Sequence, residues 1–203
     1  MGQARFQILS SNHELFRYQR ETAERVDVEL PMDYLQRARV IGLVDNHSHE
    51  ILGGFTFAYQ GPLRCLSQIP DEEQLQNSLI QKYKESCFEI NGLWLDHSRA
   101  PNGSSFQLYL RCMEEAIRLS FKGKPKYVYA YSADNEKLRR FYRNFNSKKV
   151  YEGPIQMMPG MRKLENEVVE MGCMKRLPIT VLRNPGFLLT RGFSSSRRRL
   201  SWI

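Results

Sequence analysis

Apolar positions along the chain switch between a strand-like and a helix-like period. Residues 6–9 read as a short first strand, and residues 12–24 as a polar helix with Phe16 and Tyr18 as apolar anchors. Residues 37–45 (RARVIGLVD) and 51–59 (ILGGFTFAY) are rich in β-branched and aromatic side chains and are separated by the polar NHSHE, which predicts a hairpin. Gly61-Pro62 closes it. Pro70 followed by Asp71, Glu72 and Glu73 places acids where a helix dipole favours them, so a helix is expected from there to about Ser86. Residues 87–95 (CFEINGLWL) form the next strand. Simple alternation puts Glu89, Asn91, Leu93 and Leu95 on one face and Phe88, Ile90 and Trp94 on the other.

The second half begins with a turn-forming loop, 98–105 (SRAPNGSS), in which Ser104 or Ser105 is placed to cap the next helix. In that helix Phe106, Tyr109, Leu110, Met113, Ala116, Ile117 and Phe121 recur at helical spacing and predict one buried face. Gly123 and Pro125 stop it. YVYAY at 127–131 is a strand, and Ser132 or Asp134 is expected to cap a short helix at 135–145. Asn146 stands where a left-handed residue ends such a helix. A strand starts at 149–151, and 167–177 reads as a last strand, with a helix equally compatible with its periodicity. This order predicts a mixed sheet flanked by helices.

A chain of 203 residues, 41% hydrophobic and 26% charged, suits one domain with a core of its own. No run approaches the roughly 18 apolar residues of a membrane span. The start of the chain lacks the apolar region of a secretory leader. Without an export signal the scattered Cys65, Cys87, Cys112 and Cys173 read as free thiols, no metal ligand set is predicted, and the expected location is cytoplasmic. His47 and His49, at the tip of the hairpin, read as exposed turn residues for want of a third ligand. Two units are expected: a domain over 1–177 and a basic extension over 178–203, which carries Arg183, Arg191, Arg197, Arg198 and Arg199 and no acid. The net charge of +8 favours anionic partners without choosing among phosphates, acidic peptides, nucleic acid or lipid.

Two segments hold candidate chemistry. The strand 87–95, the loop and the helix that follows bring unpaired backbone N–H groups together at the positive end of a helix, a pocket for phosphate or pyrophosphate. Gly103 allows close approach, and Arg99 is placed to add a charge-assisted contact. The same segment also reads as an ordinary, well-capped connection. In the second, Asn135 and Tyr142 are two helical turns apart and so lie on nearly the same face, although Tyr142 reads equally as a core aromatic.

Taken together, Arg99-Ala100-Pro101-Asn102-Gly103-Ser104 and the Asn135–Tyr142 pair resemble the GNAT superfamily of GCN5-related N-acyltransferases. The family's loop is R/Q-x-x-G-x-G/A. Here Asn102 and Ser104 replace two of its small residues, and Asn146-Ser147 replaces the Gly-Phe that closes the later motif. The resemblance implies an α/β (α+β) fold with a mixed, mostly antiparallel sheet of six to seven strands whose central strands splay apart. It implies an acetyl-CoA or longer acyl-CoA co-substrate, held by backbone near Leu95 and His97 and by Arg99, Asn102, Gly103, Ser104, Ser105 and Asn135. A primary amine would attack the thioester directly. Tyr142 corresponds to the general acid for the leaving thiolate, Glu89 to a strand glutamate that serves as base, and His97 is a second candidate base. Glu89 otherwise reads as a solvated or salt-bridged residue, and His97 as a loop histidine. The acceptor would be a lysine-like side chain of a peptide or another amine, and the Met-rich segment 154–166 would form a mobile lid on its pocket. Competing readings are a nucleic-acid-binding or nucleobase-modifying protein and an inactive acyl-CoA sensor.

Overall fold

The computed structural model describes residues 4–26, 28–145, 147–161 and 164–176. The basic extension assigned to 178–203, the predicted left-handed turn at Asn146 and the end of the last expected strand at Leu177 lie outside them. The chain runs β1 (Ala4–Leu9), α1 (Asn12–Val26), α2 (Met32–Arg37), β2 (Arg39–Asp45), β3 (Ile51–Ala58), α3 (Arg64–Ser67), α4 (Asp71–Gln76), α5 (Ser78–Tyr83), β4 (Cys87–Leu95), α6 (Ser104–Phe121), β5 (Lys126–Ser132), α7 (Glu136–Tyr142), β6 (Lys148–Pro154) and β7 (Asn166–Cys173). Seven strands form one sheet in the order β1-β2-β3-β4-β5-β7-β6. Every neighbouring pair is antiparallel except β4 and β5, which are parallel.

Helices cover both faces. One core packs Tyr18 of α1, Tyr34 and Leu35 of α2, Cys65 of α3 and Ile80 of α5 on Cys87, Trp94 and Val128 of the sheet. The other packs Leu108, Ala116 and Leu119 of α6 on Phe55, Phe57, Phe88 and the tyrosines of β5. A sheet buried on both sides explains why β3 reads as a continuous apolar run, with all eight residues buried. Among the described residues no helix is long and apolar enough to cross a membrane.

Several elements depart from the sequence-based expectation, each for a local reason. The single helix expected from Pro70 to Ser86 breaks at Asn77, which is extended. Its side chain accepts from the amides of Leu79 and Ile80 at 3.0 and 3.2 Å to restart the helix, and it donates to Val150 O at 2.7 Å. The buried stripe of α6 is Leu108, Glu115, Ala116 and Leu119, while Leu110, Ile117 and Phe121 are exposed. The helix is turned to bury Glu115 among Arg39, Arg111 and Arg118, at 2.9, 3.2 and 2.7 Å. Neither Ser104 nor Ser105 caps α6: Gly103 occupies the cap with φ +85°, and Ser104 is the first helical residue. In α1 Phe16 is exposed and Tyr18 is the anchor, and a Ser11/Glu14 capping box opens the helix.

The alternation expected for β4 also fails. Gly92, at φ +58°, bulges the strand, and the pairing with β3 slips between Gly54–Trp94 and Thr56–Asn91. The extra residue turns Trp94 onto the α1 face, where its indole N–H donates to Thr22 Oγ1 at 2.9 Å. It sends Leu93 and Leu95 to the α6 face with Phe88 and Ile90. Tyr18 clamps the bulge, its hydroxyl donating to Gly92 O at 2.7 Å.

Candidate active site

The parallel pair β4–β5 is joined over three positions only: Cys87–Lys126, Phe88–Tyr127 and Glu89–Val128. Beyond Glu89 and Val128 the strands continue to Leu95 and Ser132 without pairing to each other, so a wedge opens in the middle of the sheet. Unpaired strand edges inside a sheet leave backbone donors and acceptors available to an extended ligand.

The loop from β4 to α6 lies at the open end. Ala100 N–H bonds Asp96 O at 2.8 Å and Ser104 N–H bonds Pro101 O at 3.1 Å, which winds the loop into the helix start. Asn102 is exposed, Ser105 is half-buried and Ser104 is buried. In front of this start lies a cavity of about 360 Å³ lined by Ala4, Arg5, Asn46, Pro101, Asn102, Ser104 and Gln107. Its cation is Arg5, from the far edge strand, which sequence reasoning missed because only the fold brings β1 beside this loop. Arg99, expected to face the anion, sits among three acids. Its Nε lies 2.6 Å from Asp96, and its other nitrogens lie 3.1 Å from Glu50 and 3.7 Å from Glu21. Arg99 thus ties the loop to α1 and the β2–β3 hairpin. Burial pushes the Asp96 carboxyl up, but hydrogen bonds from Ser98 and Arg99 and the charge of Arg25 outweigh it and hold the group well below the usual carboxylate range.

Glu89 sits at the apex of the wedge and is fully buried, with no salt bridge among the described residues. One carboxylate oxygen accepts from the Tyr34 hydroxyl at 3.1 Å and the Asn91 amide at 2.9 Å, and the other accepts from Cys65 N–H at 3.1 Å. Burial raises its pKa, and the donors from Cys65, Asn91 and Tyr34 oppose that rise. A carboxyl tuned upward is suited to take a proton near neutral pH. Tyr34 and Cys65 carried no signal in the sequence, because α2 and α3 were not foreseen.

Tyr142 approaches the wedge from the opposite face. Its ring stacks on Tyr129 and Tyr131, with centroids 4.3 and 4.8 Å apart. These are residues of β5 just beyond the last position paired with β4. The Tyr129 and Tyr131 hydroxyls donate to Glu170 of β7 at 2.8 and 2.7 Å. Burial, together with the Glu170 charge, pushes both phenols far above their ordinary range, so they serve as fixed donors. Asn135 precedes α7 and is its cap, its side-chain oxygen accepting from Leu138 N–H at 3.1 Å, in place of the expected Ser132 or Asp134. It also lines a cavity of about 960 Å³ with Ser132, Asp134, Glu136, Pro154, Leu164, Glu165 and Asn166.

The fold therefore brings Glu89 and Tyr142 to the two faces of one wedge and sets Leu95, Asn102, Gly103, Ser104 and Ser105 at its mouth. His97 is exposed in the turn beyond β4. It lies past the far end of that nine-residue strand from Glu89. The segment expected to form a lid is tied down at several points: Gln156 N–H bonds Gln68 O at 2.7 Å, Glu29 N–H bonds Gly160 O at 3.0 Å, and Met161 bridges Val28.

No protein-family profile matches the sequence, and no curated protein matches it. The architecture, however, is shared with solved structures. FeeM, an N-acyl amino acid synthase from uncultured soil microbes, superimposes with a TM-score of 0.61 at 12% identity, over 92% of this chain and 99% of that one. NAA60 of Arabidopsis thaliana, in complex with acetyl-CoA, gives 0.57 at 14% identity over 85% and 99%. The ribosomal-protein-S18-alanine N-acetyltransferase of Escherichia coli gives 0.53 at 11% identity over 85% and 94%. The fold is that of the GNAT N-acetyltransferases, with the mixed seven-stranded sheet and splayed central pair expected from the sequence.

Proposed function

We propose that this protein is an acyl-CoA-dependent N-acyltransferase that moves an acyl group from the thioester to a primary amine in one direct step. The observation that carries the reading is the wedge: β4 and β5 part just beyond Glu89 and Val128, with a helix start at one end and Tyr142 stacked on the diverging strand. The acyl-CoA arm runs along the free edge of β4. Its diphosphate meets the amides at the start of α6 and the charge of Arg5.

The incoming ammonium gives up a proton towards Glu89, through a bridging water because that carboxylate is enclosed. The amine nitrogen then attacks the thioester carbonyl, the carbon–sulfur bond breaks, the Tyr142 hydroxyl gives its proton to the thiolate, and the second proton that the nitrogen sheds as the amide forms restores the phenol. A phenol suits this last step, since its reference pKa of about 10 lies near that of a thiol.

The test is a mass-spectrometric screen of the purified protein with acyl-CoAs of graded length and a mixture of amines. A new amide together with free CoA thiol is the expected result. The absence of both acyl-CoA binding and any amide product would overturn the reading.

A further inference from the structure

Glu170 of β7 stands directly across from Tyr129 of β5, and Tyr131, two residues on, shares that face of the sheet. Its carboxylate divides between the two phenols: one oxygen accepts from Tyr131 at 2.7 Å, the other from Tyr129 at 2.8 Å. The Ser147 hydroxyl donates to the second oxygen as well and lies 2.5 Å from the Tyr129 hydroxyl. A carboxylate only accepts and has room for several donors, so one group satisfies all three hydroxyls. The two phenol rings stand 6.3 Å apart with 25° between their planes. Tyr142 lies on both, at 4.3 Å and 21° from Tyr129 and at 4.8 Å and 18° from Tyr131. Helix α7, which carries it, has seven residues. Hydrogen bonds tie down the start of that helix: Asn135 caps it, and Arg139 Nε donates to Ala133 O at 2.7 Å. Tyr142 is its last residue, and stacking sets the ring against the sheet.

We propose that Glu170 positions the candidate acid: by holding both phenols it fixes the platform under the Tyr142 ring, and with it the place where the Tyr142 hydroxyl meets the leaving thiolate. The inference rests on the acyl-transfer reading and adds a residue which that reading does not use. Strand β7 flanks β5 on the side away from β4, so Glu170 works through the rings and not on the thioester. Stacked rings tolerate a range of offsets. A proton donor does not: it has to come within about 2.6–3.2 Å of the atom that receives the proton, and a shift of about 1 Å can cost about 100-fold in rate. The hydrogen bonds to Glu170 supply the lateral restraint that stacking lacks. Burial and Glu170 hold both platform phenols in the protonated form, so the two bonds outlast the pH at which an ordinary phenol ionises. Glutamine at this position would keep the size of the side chain but offer one acceptor oxygen, with an N–H donor in place of the other.

The experiment compares Glu170→Gln in two backgrounds, the unmodified full chain and Tyr142→Phe. Each protein receives acetyl-, octanoyl- or palmitoyl-CoA with a fixed mixture of free amino acids, lysine-containing peptides and polyamines. Thiol release gives kcat and the KM for acyl-CoA, and direct titration gives its Kd. In the unmodified background Glu170→Gln is expected to lower kcat by about 10-fold with KM and Kd little changed, because the platform is displaced and not lost. In the Tyr142→Phe background the same change is expected to lower kcat no further, since the hydroxyl it positions is already gone. A purely structural role would lower kcat by the same factor in both. Tyr129→Phe and Tyr131→Phe, made singly, each keep a ring and remove one bond to Glu170, so each should show the same dependence on Tyr142. Circular dichroism verifies folding, and where Glu170→Gln does not fold these two variants make the comparison. Equal losses in both backgrounds, or no loss in either, would overturn this inference and leave acyl transfer standing. Full kcat in Tyr142→Phe, or acyl-CoA bound without thiol release by the unmodified protein, would overturn it as well. Acyl-CoA neither bound nor consumed would remove the acyl-transfer reading itself and this inference with it.

Discussion

The Tyr34 hydroxyl donates to Glu89 at 3.1 Å, linking α2 to the residue where the central strands begin to part. A donor to a carboxylate favours its ionised form, so this bond opposes the upward push of burial on the Glu89 pKa. Tyr34→Phe removes that donor and should therefore raise the pKa further. A base works when deprotonated, so the ascending limb of the pH–kcat/KM profile should move to higher pH. The stability effect has a definite sign. Because its folded pKa is raised, Glu89 holds its proton more tightly in the folded state, and stability falls as pH rises from 4.5 through the folded pKa. Tyr34→Phe should deepen that fall, read as the melting temperature across pH. A variant with both profiles unchanged would remove Glu89 from the proton path.

Tyr142→Phe keeps the ring that stacks on Tyr129 and Tyr131 and removes only the hydroxyl. Turnover should drop by about 100-fold or more, the usual contribution of a positioned acid. Acyl-CoA affinity and melting temperature should stay close to those of the unmodified protein. Full activity in this variant would show that the thiolate collects its proton elsewhere.

Asp96 holds Arg25 at 2.7 Å and Arg99 at 2.6 Å and so pins the loop before α6 to α1. Asp96→Asn removes the carboxylate that both arginines share, leaving them the longer contacts to Glu21 and Glu50, and should cost about 2 kcal/mol near neutral pH. The carboxyl pKa is lowered in the fold, so the stability it supplies is present above about 3.8 and is lost as pH falls through the lower folded value. The difference between the two proteins in denaturant melts should therefore vanish in strong acid. The KM for acyl-CoA should rise with the loosened loop.

Gly92→Ala tests the bulge. The residue has φ +58°, and an added Cβ would lie 3.1 Å from both Leu30 Cδ1 and Tyr18 Oη. Left-handed strain alone costs about 1–2 kcal/mol. Tyr18→Phe, which loses the bond to Gly92 O, should cost about 1 kcal/mol or more. The two changes act on one contact, so a double-mutant cycle should show clear non-additivity. Simple addition of the two costs would mean that Tyr18 does not hold the bulge.

Local chemistry alone made the succession of strands and helices along the chain and the loop before α6 readable, and the resemblance to the GNAT superfamily added the splayed pair. Apolar runs, glycine and proline punctuation and acids at helix starts act through neighbours in the chain, and they marked Gly103 and the shared face of Asn135 and Tyr142, whereas Glu89 was singled out by the resemblance to the GNAT superfamily. Tertiary structure decided what those signals leave open. The Gly92 bulge reverses the faces of β4 because alternation counts residues, whereas pairing with β3 counts hydrogen bonds. Burial of Glu115 among three arginines accompanies the turning of α6 away from its most apolar stripe, which leaves Leu110, Ile117 and Phe121 exposed. Arg99 was legible as a cation near the loop, but its carboxylate partners come from distant segments, and so does Arg5, which takes its place at the cavity. The same holds for Tyr34 and Cys65 around Glu89: each belongs to a short helix with weak local signal, and only the packing of α2 and α3 on the sheet makes them neighbours.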